Sequence, residues 1–70
     1  MERRNTIIDT MTHYLENACA YLTTGETQLY HYSAGKADAL REHLEEFYGW
    51  DERHASEHVK AMWDIIDENW

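Results

Sequence analysis

Residues 54–58 read His-Ala-Ser-Glu-His. Two imidazoles four residues apart share one face of a helix. With a carboxylate beside the second, such a set is able to hold zinc and to activate a metal-bound water. Hydrolysis at zinc also needs a third protein ligand from a second element, and a cleft that admits an extended substrate. Only residues 59–70 follow His58. Their spacing continues the same helix, so they are not expected to return a distant ligand.

Letter by letter, His54, Glu57 and His58 resemble the H-x-x-E-H zinc signature of the inverted-motif metallopeptidases. The resemblance covers five residues and implies two histidine ligands with Glu57 between them in the chemistry. A chain of 70 residues lacks walls for a peptide cleft. The expectation is therefore no enzyme, no metal and no cofactor, with His54 and His58 flanking an apolar stripe. The alternative is a small metal-binding domain. His43 lies six residues before Gly49 and His58 nine after it, so His43, His54 and His58 would meet if two helices ran antiparallel about that glycine.

Other chemistry-bearing groups read as structural. Ser33-Ala34-Gly35-Lys36-Ala37 shares Gly-Lys with a phosphate loop, but Tyr30 stands where the first glycine belongs and Ala37 where Ser or Thr belongs. Cys19 has no histidine nearby on its face and reads as a small core residue. The pairs Glu45-Glu46 and Asp67-Glu68 lack a pocket to shift their pKa values and fall on expected solvent faces.

The elements that position these groups are predicted to be helices. Residues 6–23 place Ile7, Ile8, Met11, Tyr14, Leu15, Ala18, Cys19 and Leu22 at helical spacing. Thr6 with Asp9 resembles a capping box, and Gly25 suits the end. Residues 34–48 repeat the pattern with Ala37, Leu40, Leu44, Phe47 and Tyr48, between a Ser33 cap and a Gly49 stop. A third helix is predicted from Glu52 to Asn69, capped by Asp51, with Trp50 packing on Ala55. Between the first two helices, Glu26–Ser33 carries Leu29, Tyr30 and Tyr32 and is predicted to be extended. A short helical turn and a strand paired with a second copy are the alternatives. The fold class expected is mostly α: one acidic domain, residues 1–70, of three helices with an extended aromatic segment between helices 1 and 2.

Composition bounds the function. The net charge is −8. Residues 37–70 carry ten acids against three bases, and residues 1–36 four against three. Direct binding to nucleic acid or to an anionic membrane is disfavoured by this charge, and a basic protein surface is its complement. One cysteine and no apolar leader point to a cytoplasmic protein without disulfides. Three Trp, five Tyr and one Phe are a surplus for so small a core, and interface hot spots favour such residues.

In size, acidity, aromatic surplus and lack of a catalytic grouping, the chain resembles the general type of phage-encoded or mobile-element inhibitors. These include nucleic-acid mimics, anti-defence proteins such as anti-CRISPR proteins, and acidic immunity proteins of toxins. The resemblance is one of character and implies a basic partner, such as a nucleic-acid-binding protein. The partner-binding residues expected are Glu42, Glu45 and Glu46 on the second helix and Asp64, Asp67 and Glu68 on the third, with Trp63 and Trp70 as aromatic anchors. A structural homodimer, held through Glu26–Ser33 or the wide apolar face of the third helix, is the alternative.

Overall fold

A computed structural model describes residues 3–69. Three helices follow in order: α1 (Arg3–Thr24), α2 (Thr27–Tyr48) and α3 (Glu57–Asn69), with a 3-10 turn at Glu52–His54 before α3. There is no strand among the described residues. The mostly α fold class thus holds, and two local expectations do not.

The first correction concerns Glu26–Ser33. This stretch is the opening two turns of α2, which starts at Thr27. Tyr30, Ser33, Ala34, Ala37 and Leu44 form one buried face, spaced by three, four or seven residues. That periodicity runs unbroken through the segment and joins it to the helix beyond. An isolated extended stretch would leave its backbone polar groups unpaired, since no partner strand exists. Helical hydrogen bonding satisfies them, and the strand tendency of Tyr yields to burial. Ser33 is consequently a buried mid-helix residue, 3% exposed, and not a cap. Gly35 lies inside the helix as well, so nothing of a phosphate loop remains. On α1 the residues from Arg3 onward are already helical, so Thr6 lies inside the helix and is not its cap.

The turn between α1 and α2 is tight because Gly25 adopts φ +78°. The Glu26 N–H donates to the Tyr21 carbonyl at 2.9 Å and the Gly25 N–H to that of Leu22 at 3.3 Å, the paired closure of a Schellman motif. The helices therefore run antiparallel. Their seam holds Ala18, Ser33, Ala34 and Ala37, whose small side chains let two backbones approach closely. Around it pack Met11, Leu15, Tyr30 and Leu44, all at most 2% exposed.

The second correction concerns the start of the third helix. Asp51 does act as an N-cap: it accepts from the Arg53 N–H at 2.9 Å. It caps a 3-10 turn, however, and Ala55 then returns to extended backbone (φ −83°, ψ 155°). Ser56 caps α3, its hydroxyl accepting from the Val59 N–H at 3.3 Å. Two cap-forming residues five positions apart compete for one helix start, and each takes its own. Upstream, Gly49 closes α2 at φ +64°, and the Trp50 N–H donates to the Leu44 carbonyl at 3.2 Å. Trp50 is buried and Ala55 half-buried against the core, although Ala55 ends the 3-10 turn and does not occupy the fourth position of a helix, where the expected staple would place it.

α3 lies on the paired helices through Val59, Met62, Trp63 and Ile66. Tyr30 donates to the Ile66 carbonyl at 3.4 Å, a long hydrogen bond. Arg41 lies over the Trp63 ring, its guanidinium carbon 4.0 Å from the ring centroid. Early α2 thus meets late α3, and the two are antiparallel. α1 packs along the buried face of α2, and α3 meets α2 through Tyr30 and Arg41. Phe47, expected in the core, is left 68% exposed, and Ile65 of α3 is 40% exposed.

Two substitutions check this packing. Leu44→Ala and Met62→Ala should each destabilise by roughly 2–5 kcal/mol, since both side chains are buried. Denaturant melts followed by circular dichroism would show this as lower midpoints. Gly35→Ala should act oppositely. A methyl group at Gly35 meets no atom within 4 Å, so the gain in helix propensity, about 0.5–1 kcal/mol, is unopposed. An unchanged or lower midpoint would place residue 35 outside a regular helix.

Candidate functional site

The 3-10 turn decides the fate of the zinc-like motif. Because the chain is extended at Ala55, His54 and His58 do not share one helix and are not related by a helical turn. His54 belongs to the capping arrangement of Asp51: its Nδ1 sits 3.1 Å from the Asp51 carboxylate and 3.4 Å from the Asp51 N–H. His58 opens α3 with Nε2 3.7 Å from Glu16 of α1. Both line a groove of about 290 Å³ with Ile8, Thr12, Trp50 and Val59. His43 is elsewhere, its ring 4.8 Å from Phe47 and 5.8 Å from Tyr48. The three-histidine alternative is therefore not assembled, and among the described residues no three His, Cys, Asp or Glu converge as metal ligands.

Hydrogen bonds from Arg53 hold the Asp51 carboxyl below the usual carboxylate range. Burial pushes the Cys19 thiol up, away from the thiolate a nucleophile needs. Burial, then the nearby Cys19 and Asp67 groups, raises the Tyr30 hydroxyl.

The acidic residues are arranged with more consequence. Residues 37–70 contain three Lys or Arg: Arg41, Arg53 and Lys60. Each is engaged locally. Arg41 bonds Asp38 at 2.7 Å and Glu52 at 2.9 Å. Arg53 bonds Asp51 at 3.0 Å, and Lys60 lies 3.8 Å from Glu57. Ten acids less these four leaves six. The six are Glu42, Glu45, Glu46, Asp64, Asp67 and Glu68. All six are exposed, and none has an ion pair among the described residues.

The fold distributes these six as two groups. On α2, Glu45 stands one turn beyond Arg41 and borders α3, while Glu42 and Glu46 turn outward. On α3, Asp67 stands one turn beyond Trp63 and borders α2, where its charge acts on Tyr30. Asp64 and Glu68 turn outward. Because α2 and α3 are antiparallel, the triplets lie toward opposite ends of the molecule. Tyr30 is level with Ile66, so Leu44, amid the α2 triplet, is displaced roughly 20 Å along α2 from the α3 triplet, at 1.5 Å per residue. The two helices bear one elongated acidic side and not a single cluster.

The aromatic expectation is corrected. Trp63 is 1% exposed and serves as core, stacked beneath Arg41, so it is not available as a surface anchor. Trp70 lies outside the described residues. Among the described residues the exposed large apolar side chains are Leu29, Tyr32, Phe47 and Ile65. Ile65 is the one on α3, next to Asp64 and one turn from Glu68. Its exposure had a signal in the sequence: Val59, Met62, Trp63 and Ile66 alone fill one arc of the helix, and Ile65 projects off it. No helix among the described residues is long and apolar enough to cross a membrane.

Comparison with known protein families, with curated protein sequences and with solved structures finds no match for this chain.

Removing the two histidines tests their role. His54→Ala with His58→Ala should leave the melting temperature nearly unchanged, because both rings are mostly exposed, at 61% and 68% of the side chain. The wild type should melt identically with and without EDTA. A drop of several degrees in either experiment would show a coordinated or buried pair.

Proposed function

We propose that this chain is a protein-binding module, and that it inhibits by laying its acidic side on a basic, nucleic-acid-binding surface of another protein. One observation carries the reading. The three bases of residues 37–70 are consumed by Asp38, Asp51, Glu52 and Glu57, which leaves Glu42, Glu45, Glu46, Asp64, Asp67 and Glu68 without a counter-charge among the described residues. Charges paired within the chain project little field. Six unpaired acids on one elongated side attract a cationic surface and raise the rate of encounter. The separation of the triplets sets the partner's geometry: its basic surface spans roughly 20 Å, the scale of a groove that holds a nucleic-acid backbone. Ile65 is the apolar side chain placed to seat beside these charges.

The test has two stages. Immobilised protein is exposed to a cell lysate at low ionic strength, and bound proteins are eluted with rising salt. Association with the partner so identified is then timed for three variants: Glu42, Glu45 and Glu46 reversed to Lys, Asp64, Asp67 and Glu68 reversed to Lys, and all six. Each triplet should slow association markedly at low salt while leaving the melting curve almost unaltered, because exposed charges contribute little to stability. Near 0.15 M salt the screening length is about 8 Å, well below the distance between the triplets. Their effects on the logarithm of the on-rate should then add, and all should shrink as salt rises further. Ile65→Ala should act on dissociation instead. On-rates unmoved by all three variants at low salt would reduce the acidic side to a solubilising surface.

A further inference from the structure

The stretch that leads into α3 is broken at a residue with no intrinsic reason to break it. Alanine has the strongest helix preference of all residues, yet Ala55 is extended (φ −83°, ψ 155°) between the 3-10 turn and α3. No Gly or Pro lies between Trp50 and Asn69. The Asp51 cap does not require the break, because it would serve a helix continuous from Glu52 equally well. Two contacts favour it. The Ser56 hydroxyl caps the shorter helix at 3.3 Å from the Val59 N–H, and Glu52 reaches Arg41 at 2.9 Å. The first is a long hydrogen bond, and the second joins two partly exposed side chains. Against them stand the carbonyl acceptors that a continuous helix would supply to the N–H groups opening α3. The two helix starts are closely balanced.

The same stretch carries an incomplete set of metal ligands. His58 Nε2 and Glu16 Oε2 of α1 are 3.7 Å apart. That is too long for a hydrogen bond, and near the roughly 3.3 Å between two ligands of one tetrahedral ion that each lie about 2.0–2.1 Å from it. The two side chains are 68% and 51% exposed, so a hydrated cation can reach both. His54 lines the same groove as His58, but its Nδ1 is engaged with Asp51 at 3.1 Å. In a helix continuous through Ala55, His54 and His58 stand one turn apart on one face. A second imidazole then joins the first, with the carboxylate arriving from α1.

We propose that residues 51–58 are a metal-driven switch, in which a zinc-like divalent cation binds His54, His58 and Glu16 and joins the 3-10 turn to α3 as one helix. A ligand shifts a conformational equilibrium by its differential affinity for the two states. The ion favours the continuous helix because there both imidazoles reach it. Two imidazoles with one carboxylate suit zinc and not magnesium or calcium, which take oxygen ligands. Three protein donors leave one position of a tetrahedral ion to water. The metal-free chain keeps the break, so its melting is indifferent to EDTA. The ion acts as an effector and is no part of the core. None of the six unpaired acids of α2 and α3 is a ligand, so the switch stands apart from the partner-binding proposal.

Titration of the chain with zinc chloride tests this, followed by the Cα chemical shift of Ala55 and by far-ultraviolet circular dichroism. Saturation should move the Ala55 shift from its extended to its helical value, deepen the helical signal by about one turn, and raise the melting temperature by several degrees. Magnesium chloride at the same concentration should do none of these. His54→Ala should weaken zinc binding by about tenfold or more and leave Ala55 extended, and Glu16→Gln should weaken it as well. Both side chains are exposed, so both variants should melt like the wild type without metal. Ser56→Ala removes the cap of the shorter helix and touches no ligand, so it should tighten zinc binding. Chelation by surface histidines alone would be indifferent to Ser56. Zinc binding that leaves Ala55 extended, or that is no tighter in Ser56→Ala, overturns the switch, and a chain that binds no zinc at millimolar concentration has no such site.

Discussion

The burial of Trp63 beneath Arg41 is the contact on which the third helix depends. α3 has 13 residues, a length at which an isolated helix is marginal in water. It forms because Val59, Met62, Trp63 and Ile66 find an apolar surface on the α1–α2 hairpin. Trp63 is the largest of the fully buried side chains, and its indole N–H has no partner among the described residues, at a cost of about 1–3 kcal/mol. Arg41 offsets part of this by lying against the ring face. It also gathers Asp38 of its own helix and Glu52 of the 3-10 turn. One side chain thus ties together α2, the turn and α3. Arg41 has shed most of its own solvent, its side chain being 21% exposed, so both carboxylates and the ring are needed to stabilise it there.

That clamp shapes the electrostatics too. By drawing Asp38 and Glu52 to Arg41, the fold neutralises acids near the α2–α3 seam and leaves the outward ones bare. Arg53 and Lys60 do the same for Asp51 and Glu57. The surface left over is acidic on the side shared by α2 and α3.

Much of this was legible in the chain, and the failures have identifiable causes. The helix seams at Met11, Leu15, Ala18 and at Ala37, Leu44 follow from three-to-four spacing, which is local and needs no tertiary knowledge. The Gly25 and Gly49 stops were equally plain, because a left-handed φ suits Gly above other residues. Glu26–Ser33 misled because its aromatic side chains favour strands on average, while the residues that continue its helical face, Ala34 and Ala37, lie beyond its end on either side of Gly35. The residues His54–His58 misled because Asp51 and Ser56 are both good caps, and residue types do not say which start prevails.

By itself the sequence determined the helical class, both glycine stops and the identity of the acids that carry the charge of residues 37–70. Those properties rest on spacing, backbone freedom and composition, which belong to each segment alone. Only the tertiary structure decided that Trp63 is core while Phe47 and Ile65 are surface, and which four acids are neutralised. It also decided that the remaining six form two triplets at opposite ends of one side. The reason is rotational. Each helix has an apolar arc wide enough to be buried in more than one orientation. The choice falls to the neighbour that docks on it: α1 packs along α2, and α3 settles on that hairpin with Trp63 beneath Arg41.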